Sequence, residues 1–312
     1  MKLLFQLSGE NPKLAEAEVR CLFEAYDVKY ERIYFENQIA IFKADFFSEL
    51  ERLALTKRIL NLDDLSLKPS LSFRVRVKSI NSDVSSLRLE RELSEELIKR
   101  YDEKLKVNLK NPEQEICAIA LKERRFVGKT YLENREKFEV RKPQNRPFKK
   151  PLSLHPKFAR LICNLSRAKR EVLDPFCGTG GILIEAGLMG LKPLGLDISE
   201  EMVLGCTQNL LHFNIENFDV KEGDCRFLKD YFSKVEAVAT DVPYGRGSFL
   251  SEKKEDLYQK AFESIREISK TSCIVTSCSY DFESLGFEVL EIYNLKVHRS
   301  LTRFFHILDS NF

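Results

Sequence analysis

Residues 171–180 read Glu-Val-Leu-Asp-Pro-Phe-Cys-Gly-Thr-Gly, and this stretch decides the fold of the second half of the chain. Glu171 to Leu173 is short and apolar, as is typical of a buried strand, and a helical pattern runs from Gly181 to Met189. Between them, Gly178 and Gly180 allow a tight turn with positive φ. A strand, a glycine turn and a helix in this order predict the beginning of a doubly wound α/β domain.

Strands and helices continue to alternate on both sides of this stretch. Further strands are predicted over 193–196, 219–221, 237–240, 273–276, 287–293 and 301–308. Further helices are predicted over 156–167, 199–214 and 255–269. This alternation predicts an α/β Rossmann-like domain over 156–312, with a mostly parallel sheet and helices on both faces.

The N-terminal half has a different pattern, in which strands and helices do not alternate regularly. Residues 1–64 predict a small α+β module with strands over 2–7 and 32–42 and helices over 11–26 and 46–57. Residues 65–140 predict a second α+β module with a βαββ outline. Three prolines then interrupt regular structure, and we expect a linker over 141–155.

The composition describes a globular protein with an uneven charge distribution. The 312 residues are 43% hydrophobic and 31% charged, which excludes disorder as the main state. The eight cysteines are scattered without zinc spacing, no apolar run is long enough to span a membrane, and we expect a cytoplasmic protein. Residues 1–150 hold 31 basic and 25 acidic residues, and Arg141 to Arg170 holds ten basic residues and no acidic one. This basic segment predicts either an anionic polymer partner or a solvated linker.

Three aspartates are predicted to follow three strands of the C-terminal domain. Because ligands bind outside the carboxyl ends of parallel strands, Asp174, Asp197 and Asp224 are candidate ligand-binding residues. Each has an ordinary alternative role, since the glycine turn after Asp174 could be purely structural, Asp197 could cap a helix, and Asp224 could belong to a turn. Taken together, the three predict a nucleoside lying across adjacent strand ends.

Asp241-Val-Pro-Tyr244 closes a fourth predicted strand. It resembles the Asp/Asn-Pro-Pro-Tyr/Phe signature of S-adenosylmethionine-dependent methyltransferases that act on exocyclic amino groups. Such a nitrogen must pyramidalise to attack a methyl group, and acceptors for its two N–H bonds assist this change. The resemblance implies that the Asp241 carboxylate and the Val242 carbonyl are those acceptors, that Pro243 completes the motif, and that Tyr244 stacks on the base. The motif departs from the family at Val242, where proline is usual.

The resemblance extends to the archaeal-type tRNA guanosine-10 N2-methyltransferase family. It is carried by Asp174 to Gly187, by Arg146-Pro-Phe-Lys-Lys-Pro151 and by His298 to Arg303. It implies that 1–64 is a ferredoxin-like module and that 65–140 is a THUMP domain that binds the 3′ acceptor end of tRNA. It also implies S-adenosyl-L-methionine as the cofactor, bound by a set of residues in the C-terminal half: Phe148, Leu154, Asp174, Phe176, Cys177, Gly178, Thr179, Gly180, Asp197, Ile198, Asp224, Cys225 and Asp241.

The implied activity is methylation of the N2 amino group of guanosine in tRNA, at guanosine 10, to N2-methylguanosine or further to N2,N2-dimethylguanosine. An N6-adenine or N4-cytosine methyltransferase remains an alternative, because the same acceptor geometry serves those amines. A non-catalytic tRNA-binding protein is a second alternative, favoured by Val242. A dehydrogenase is disfavoured, because the glycine spacing does not suit a pyrophosphate. We expect a monomer that binds no metal and associates with no membrane, and a small activating protein partner is compatible with the sequence.

Overall fold

The chain forms two compact units in the computed structural model, which describes residues 1–81, 85–101, 104–150, 154–243, 254–299 and 301–310. The first unit comprises Met1–Pro12, Val28–Glu51 and Thr56–Arg135. The second comprises Lys13–Asp27, Arg52–Leu55 and Glu136–Phe312. None of the helices in the described ranges is long and apolar enough to cross a membrane.

The first unit is built on one eight-stranded sheet. Its strands run in the order β2-β3-β1-β4-β8-β7-β5-β6. Their bounds are β1 Lys2–Leu7, β2 Glu31–Glu36, β3 Ile39–Lys43, β4 Thr56–Asn61, β5 Ser72–Ser79, β6 Lys106–Val107, β7 Gln114–Ala120 and β8 Arg125–Glu133. Strand β4 pairs with β8, so strands from both predicted N-terminal modules share this sheet. The predicted boundary at residue 64 falls between β4 and β5, and backbone hydrogen bonds of the sheet join the two sides of it, so the division into two modules stays a prediction.

Helix α2, Ser86–Arg100, covers one face of this sheet. Its buried Leu89, Leu93 and Leu97 recur at helical spacing and pack in one cluster with Val75 of β5. The side chain of Ser85 accepts a hydrogen bond from the Arg88 amide and caps the first turn.

Two predictions for the N-terminal half were wrong in detail. The single strand predicted over 32–42 is a hairpin, β2 and β3, that turns at Asn37 with a φ of 53°. The helix predicted over 46–57 is a short 3-10 turn, Ser48–Arg52, followed by β4. The apolar residues there fit either period, and pairing of β4 with β1 and β8 decided the outcome.

The second unit contains a seven-stranded sheet in the order β11-β10-β9-β12-β13-β15-β14. Strands β9 to β13 are parallel, and β14 and β15 are antiparallel additions at one edge. The strands are β9 Glu171–Asp174, β10 Lys192–Asp197, β11 Asp219–Glu222, β12 Val235–Asp241, β13 Ser269–Thr276, β14 Phe287–His298 and β15 Leu301–Ser310. The helices packed with them are α3 Pro156–Leu165, α4 Gly181–Leu188, α5 Glu200–His212 and α6 Lys254–Ile268.

Helices cover both faces of this parallel sheet. Helix α6 packs through Phe262 and Ile265 on the face that carries Leu173 and Leu194. Successive side chains alternate between faces, so Gly195 faces the other side, where a Cβ atom would lie 2.6 Å from Cδ1 of Leu183 in α4. The predicted α/β architecture is therefore confirmed.

Helix α1, Pro12–Ala25, belongs almost entirely to the second unit although it follows β1 in sequence. The fully buried carboxylate of Glu18 on α1 accepts a hydrogen bond from Nδ2 of Asn164 at 2.7 Å. It also accepts from the amides of Ala54 and Leu55 at 2.7 and 2.9 Å. The second unit therefore needs residues from the N-terminal region to complete its own core.

Candidate active site

Four aspartates lie along one edge of the parallel sheet of the second unit. Asp174, Asp197 and Asp241 are the last residues of β9, β10 and β12, and Asp224 follows β11 by two residues. These four strands are neighbours in the sheet, so their carboxyl ends meet. The structure thus places the predicted strand-end carboxylates along a single edge.

Asp174 lies inside this row, between Asp197 and Asp241, and is the most buried of the four aspartates. Its Oδ1 atom accepts hydrogen bonds from Oγ1 of Thr240 at 2.7 Å and from the amide of Phe176 at 3.1 Å. Burial raises the pKa of Asp174 to about 7, and the nearby carboxylates of Asp197 and Asp241 act in the same direction. The Asp174 carboxylate therefore joins the start of the loop at Phe176 to Thr240 of the neighbouring strand β12.

The loop after Asp174 is tied to strand β10. The amide of Gly178 donates to Oδ2 of Asp197 at 2.8 Å, and the amide of Cys177 donates to the Leu196 carbonyl at 3.0 Å. Gly178 has a φ of 49°, and a Cβ atom built there would meet only the Phe176 carbonyl, at 4.0 Å. The space above Gly178 is therefore open.

Gly180 ends the loop and occupies the N-cap position of α4 with a φ of 81°. A Cβ atom at Gly180 would lie 2.6 Å from the Sγ atom of Cys206 on α5, so both backbone angle and space require glycine. The remaining predicted loop residues, Cys177 and Thr179, are buried, and Phe176 packs at the edge of the core.

Asp197 accepts hydrogen bonds from backbone amides on both sides of it, and its predicted ligand-binding role stays a prediction. Its Oδ1 atom accepts from the Ser199 amide at 3.0 Å just before α5, and its Oδ2 atom holds the glycine loop. Burial raises its pKa. The next residue, Ile198, is 73% exposed. An exposed apolar side chain beside a strand-end carboxylate suits the flat face of a nucleoside.

Asp224 has a partner that the sequence analysis missed. Arg226 donates to its carboxylate through Nε and Nη2 at 2.5 to 3.0 Å, and its amide also donates at 2.9 Å. These hydrogen bonds lower the pKa of Asp224. Cys225 is buried, whereas Phe227 is 56% exposed, so a second apolar side chain lies near the strand ends. The sequence signal was the arginine two residues after the aspartate.

Asp241 at the end of β12 also has a cationic neighbour. The Nη2 atom of Arg303 on β15 lies 3.4 Å from Oδ2 of Asp241, and both side chains are largely buried. Arg303 follows Asp241 by more than sixty residues, and only the antiparallel β15 strand brings it near. The segment His298 to Arg303 carried part of the family resemblance, but the spacing gave no reason to pair the two residues.

The structure describes two of the other three residues of the predicted catalytic motif, Val242 and Pro243. Val242 is buried, and its amide donates to the Val275 carbonyl at 3.0 Å, which extends the β12–β13 ladder by one residue. The carbonyl of Pro243 accepts a hydrogen bond from the hydroxyl of Tyr258. Tyr244 lies outside the described residues.

Phe148 and the cofactor loop meet at Asn209 of α5. Asn209 is fully buried; its Oδ1 atom accepts from the Phe148 amide at 3.0 Å, and its Nδ2 atom donates to the carbonyls of Phe148 and Thr179 at 2.8 and 2.9 Å. The ring of Phe148 lies against Gly205, where a Cβ atom would come within 2.0 Å of it. Leu154 is buried as well. The structure thus joins the predicted linker to the glycine loop through a residue that periodicity alone marked only as helical.

A doubly wound sheet with carboxylates along its strand ends fits a Rossmann-like methyltransferase, and the comparison with known families shows that class. Residues 143–303 match the family model described as "RMKL-like, methyltransferase domain", and residues 53–142 match the THUMP domain model. Among curated relatives, the tRNA (guanine(10)-N2)-dimethyltransferase of Methanothermobacter thermautotrophicus is 34% identical, with 99% of both chains covered. The protein of the same name from Pyrococcus abyssi is 40% identical over 67% of this chain and 66% of its own length. The chain belongs to this family of THUMP-containing RMKL-like methyltransferases.

Solved structures show the same fold at lower sequence identity. TrmN from Thermus thermophilus aligns over 100% of both chains with a TM-score of 0.53 and 19% identity. SMU.472, described as a methyltransferase complexed with SAH, aligns over 100% of this chain and 98% of its own with a TM-score of 0.51 and 16% identity. These likenesses support the fold of the whole chain.

Proposed function

We propose that this enzyme transfers a methyl group from S-adenosyl-L-methionine to the N2 amino group of guanosine 10 in tRNA. The observation that carries the proposal is the Asp241 carboxylate, which ends β12 in line with three other strand-end carboxylates. The names of the curated relatives support both the substrate and a second transfer that gives N2,N2-dimethylguanosine.

The residues at the carboxyl ends of the parallel strands fit the proposed cofactor. When bound, S-adenosylmethionine supplies an electrophilic methyl group on a sulfonium. The open space above Gly178 admits a ligand close to the backbone, and Asp197 offers a carboxylate for ribose hydroxyls. The exposed side chains of Ile198 and Phe227 offer apolar surface for an adenine ring.

Asp224 retains acceptor capacity for the adenine amino group despite its contact with Arg226. A carboxylate has about four lone-pair directions. The Asp224 side chain is also 20% exposed, so a ligand can reach it. We assign Cys225 to the buried wall behind this carboxylate, because its side chain is buried.

Asp241 is proposed to accept an N–H bond of the target amine. The contact with Arg303 favours the ionised carboxylate, which is the form that accepts. The Val242 carbonyl is the proposed second acceptor, and Tyr244 is proposed to stack on the base.

The N-terminal half is proposed to bind the 3′ acceptor end of the same tRNA. Its excess of basic over acidic residues, 31 against 25 in residues 1–150, favours a polyanion. A contact at the acceptor end would select the target by its fixed distance, because a pocket for one guanine cannot distinguish one guanosine from another. We propose a cytoplasmic monomer, and a small activating protein remains compatible with this arrangement.

Nucleoside mass spectrometry of tRNA tests the proposal. The purified full chain is incubated with S-adenosylmethionine and an unmodified tRNA transcript, and the digested nucleosides are quantified. N2-methylguanosine is expected, and it should disappear when guanosine 10 is replaced by adenosine with its pairing partner changed to match. N6-methyladenosine or N4-methylcytosine as the product would favour the alternative enzymes, and no methylated nucleoside would favour the non-catalytic binder.

A further inference from the structure

Arg146 lies in the basic segment before α3. It is not among the residues that the sequence predicted to bind the cofactor or to act in catalysis. The residue is 3% exposed, and its Nε atom donates to the Arg141 carbonyl at 3.0 Å. Its terminal nitrogens Nη1 and Nη2 are buried and meet no hydrogen-bond acceptor in the part of the chain that the structure describes. A buried guanidinium with two unsatisfied nitrogens is costly and calls for a partner.

The neighbouring acidic residues are already engaged by other arginines. The carboxylate of Glu185, fully buried on α4, accepts from Nε of Arg141 at 2.6 Å and from Nε of Arg160 at 3.0 Å. Glu136 contacts the same two arginines at 2.8 and 3.2 Å. Two carboxylates thus balance two guanidinium groups, and Arg146 is the positive charge left over.

The side chain of Arg146 lies over the beginning of helix α4. A Cβ atom on Gly181, the first residue of α4, would lie 3.3 Å from Nη1 of Arg146. The N-cap residue is Gly180, which has no side chain with which to accept from the first helical amides. The positive helix end and the guanidinium therefore favour an anion at the same place.

We propose that Arg146 binds the carboxylate of the methionine portion of S-adenosylmethionine, an inference that rests on the proposed function. The guanidinium fork matches a carboxylate, and the glycine loop that borders this position leads directly into α4. The ligand carboxylate supplies the anion that the Glu185 cluster lacks.

Burial also lowers the pKa of Arg146 to about 10. The group therefore remains charged at neutral pH, but burial of this charge away from water destabilises the charged form. Binding of an anion relieves that cost, so the site should prefer a ligand with a carboxylate over an otherwise identical ligand without one.

Calorimetry with two ligands tests the proposal on the full chain. S-adenosylmethionine is compared with decarboxylated S-adenosylmethionine, for wild type, Arg146→Gln and Arg146→Lys. Wild type should bind the decarboxylated ligand about 10- to 100-fold more weakly, the range for losing a charge-assisted hydrogen bond. Arg146→Gln should bind both ligands about equally, and Arg146→Lys should recover part of the preference. Arg167→Gln, a matched loss of an arginine that pairs with Asp309, should keep the wild-type ratio.

Several results would overturn this assignment. Equal weakening of both ligands in Arg146→Gln would show a structural role, and a wild type that does not discriminate would refute carboxylate binding even if the variant fails to fold. A loss of tRNA affinity with unchanged cofactor affinity would assign Arg146 to a phosphate. If wild type binds neither ligand, the proposed function itself fails, whereas methylation without ligand discrimination refutes only the role of Arg146.

Discussion

Replacing Asp241 with asparagine should slow methyl transfer without weakening the binding of cofactor or tRNA. The amide has the same shape as the carboxylate but lacks the negative charge, so it accepts more weakly from an amine whose N–H bonds polarise during attack. Loss of one preorganised electrostatic group of this kind costs about 2.7–4 kcal/mol of transition-state stabilisation, or about 10² to 10³ in rate. The substitution also removes the negative charge that lies 3.4 Å from the Nη2 atom of Arg303.

Single-turnover methylation with saturating cofactor measures the rate of transfer directly. Calorimetry and a filter-binding assay give the affinities for cofactor and tRNA, and a thermal melt reports any effect of leaving Arg303 without its partner. The matched control is Asp219→Asn, the same chemical change at the amino end of β11, where the aspartate contacts Lys221 at 2.9 Å. The control should transfer methyl groups at the wild-type rate.

A rate within threefold of wild type for Asp241→Asn would refute the role of Asp241 as acceptor. A loss that appears wholly as weaker cofactor binding would move Asp241 to the cofactor site. Equal losses in Asp241→Asn and Asp219→Asn would point to a general effect of losing one negative charge.

Three further predictions follow from the same row of aspartates and from the N-terminal half. Asp197→Ala should weaken S-adenosylmethionine binding by about 10- to 100-fold in calorimetry, because a charge-assisted acceptor is lost; unchanged affinity with a lower melting temperature would leave Asp197 as a loop and helix cap only. The pKa of Asp174 is about 7 in the folded protein against an ordinary 3.8, so wild type loses stability as pH rises from 4 to 8. Asp174→Asn lacks this titration and should gain stability relative to wild type over that range, by an amount on the order of 4 kcal/mol. Denaturant titrations that give parallel pH profiles for the two proteins would contradict this. Removal of the 3′ terminal nucleotides of tRNA should reduce its methylation although guanosine 10 is untouched, and equal rates for trimmed and intact tRNA would exclude the acceptor-end contact.

The arrangement of the second unit changes how the two halves should be tested. A chain that starts near residue 141 would lack α1, and with it the Glu18 carboxylate that accepts from the buried Asn164. Such a truncation would expose part of the core of the second unit. Charge-reversing substitutions in the full chain are therefore the better probe of tRNA binding by the N-terminal half.

The sequence by itself determined the second unit and the row of strand-end carboxylates. Alternation of short apolar strands with helices specifies a parallel sheet, and parallel strands bring their carboxyl ends to one edge. Asp174, Asp197, Asp224 and Asp241 could therefore be grouped from their positions at predicted strand ends. The spacing of these aspartates did not indicate a reaction, and the resemblance to family motifs predicted methyl transfer.

Only the tertiary structure decided which residues hold these carboxylates and how the N-terminal strands pair. Arg303 reaches Asp241 through an antiparallel strand added late in the chain, and Asn209 joins Phe148 to the glycine loop across 61 residues. The unmatched charge of Arg146 depends on how many carboxylates are buried beside it. The pairing of β4 with β8, likewise, merges two predicted modules into one sheet. These residue contacts and strand pairings depend on the order of strands in the sheet and on the balance of buried charge. The local periodicity of the sequence does not indicate either.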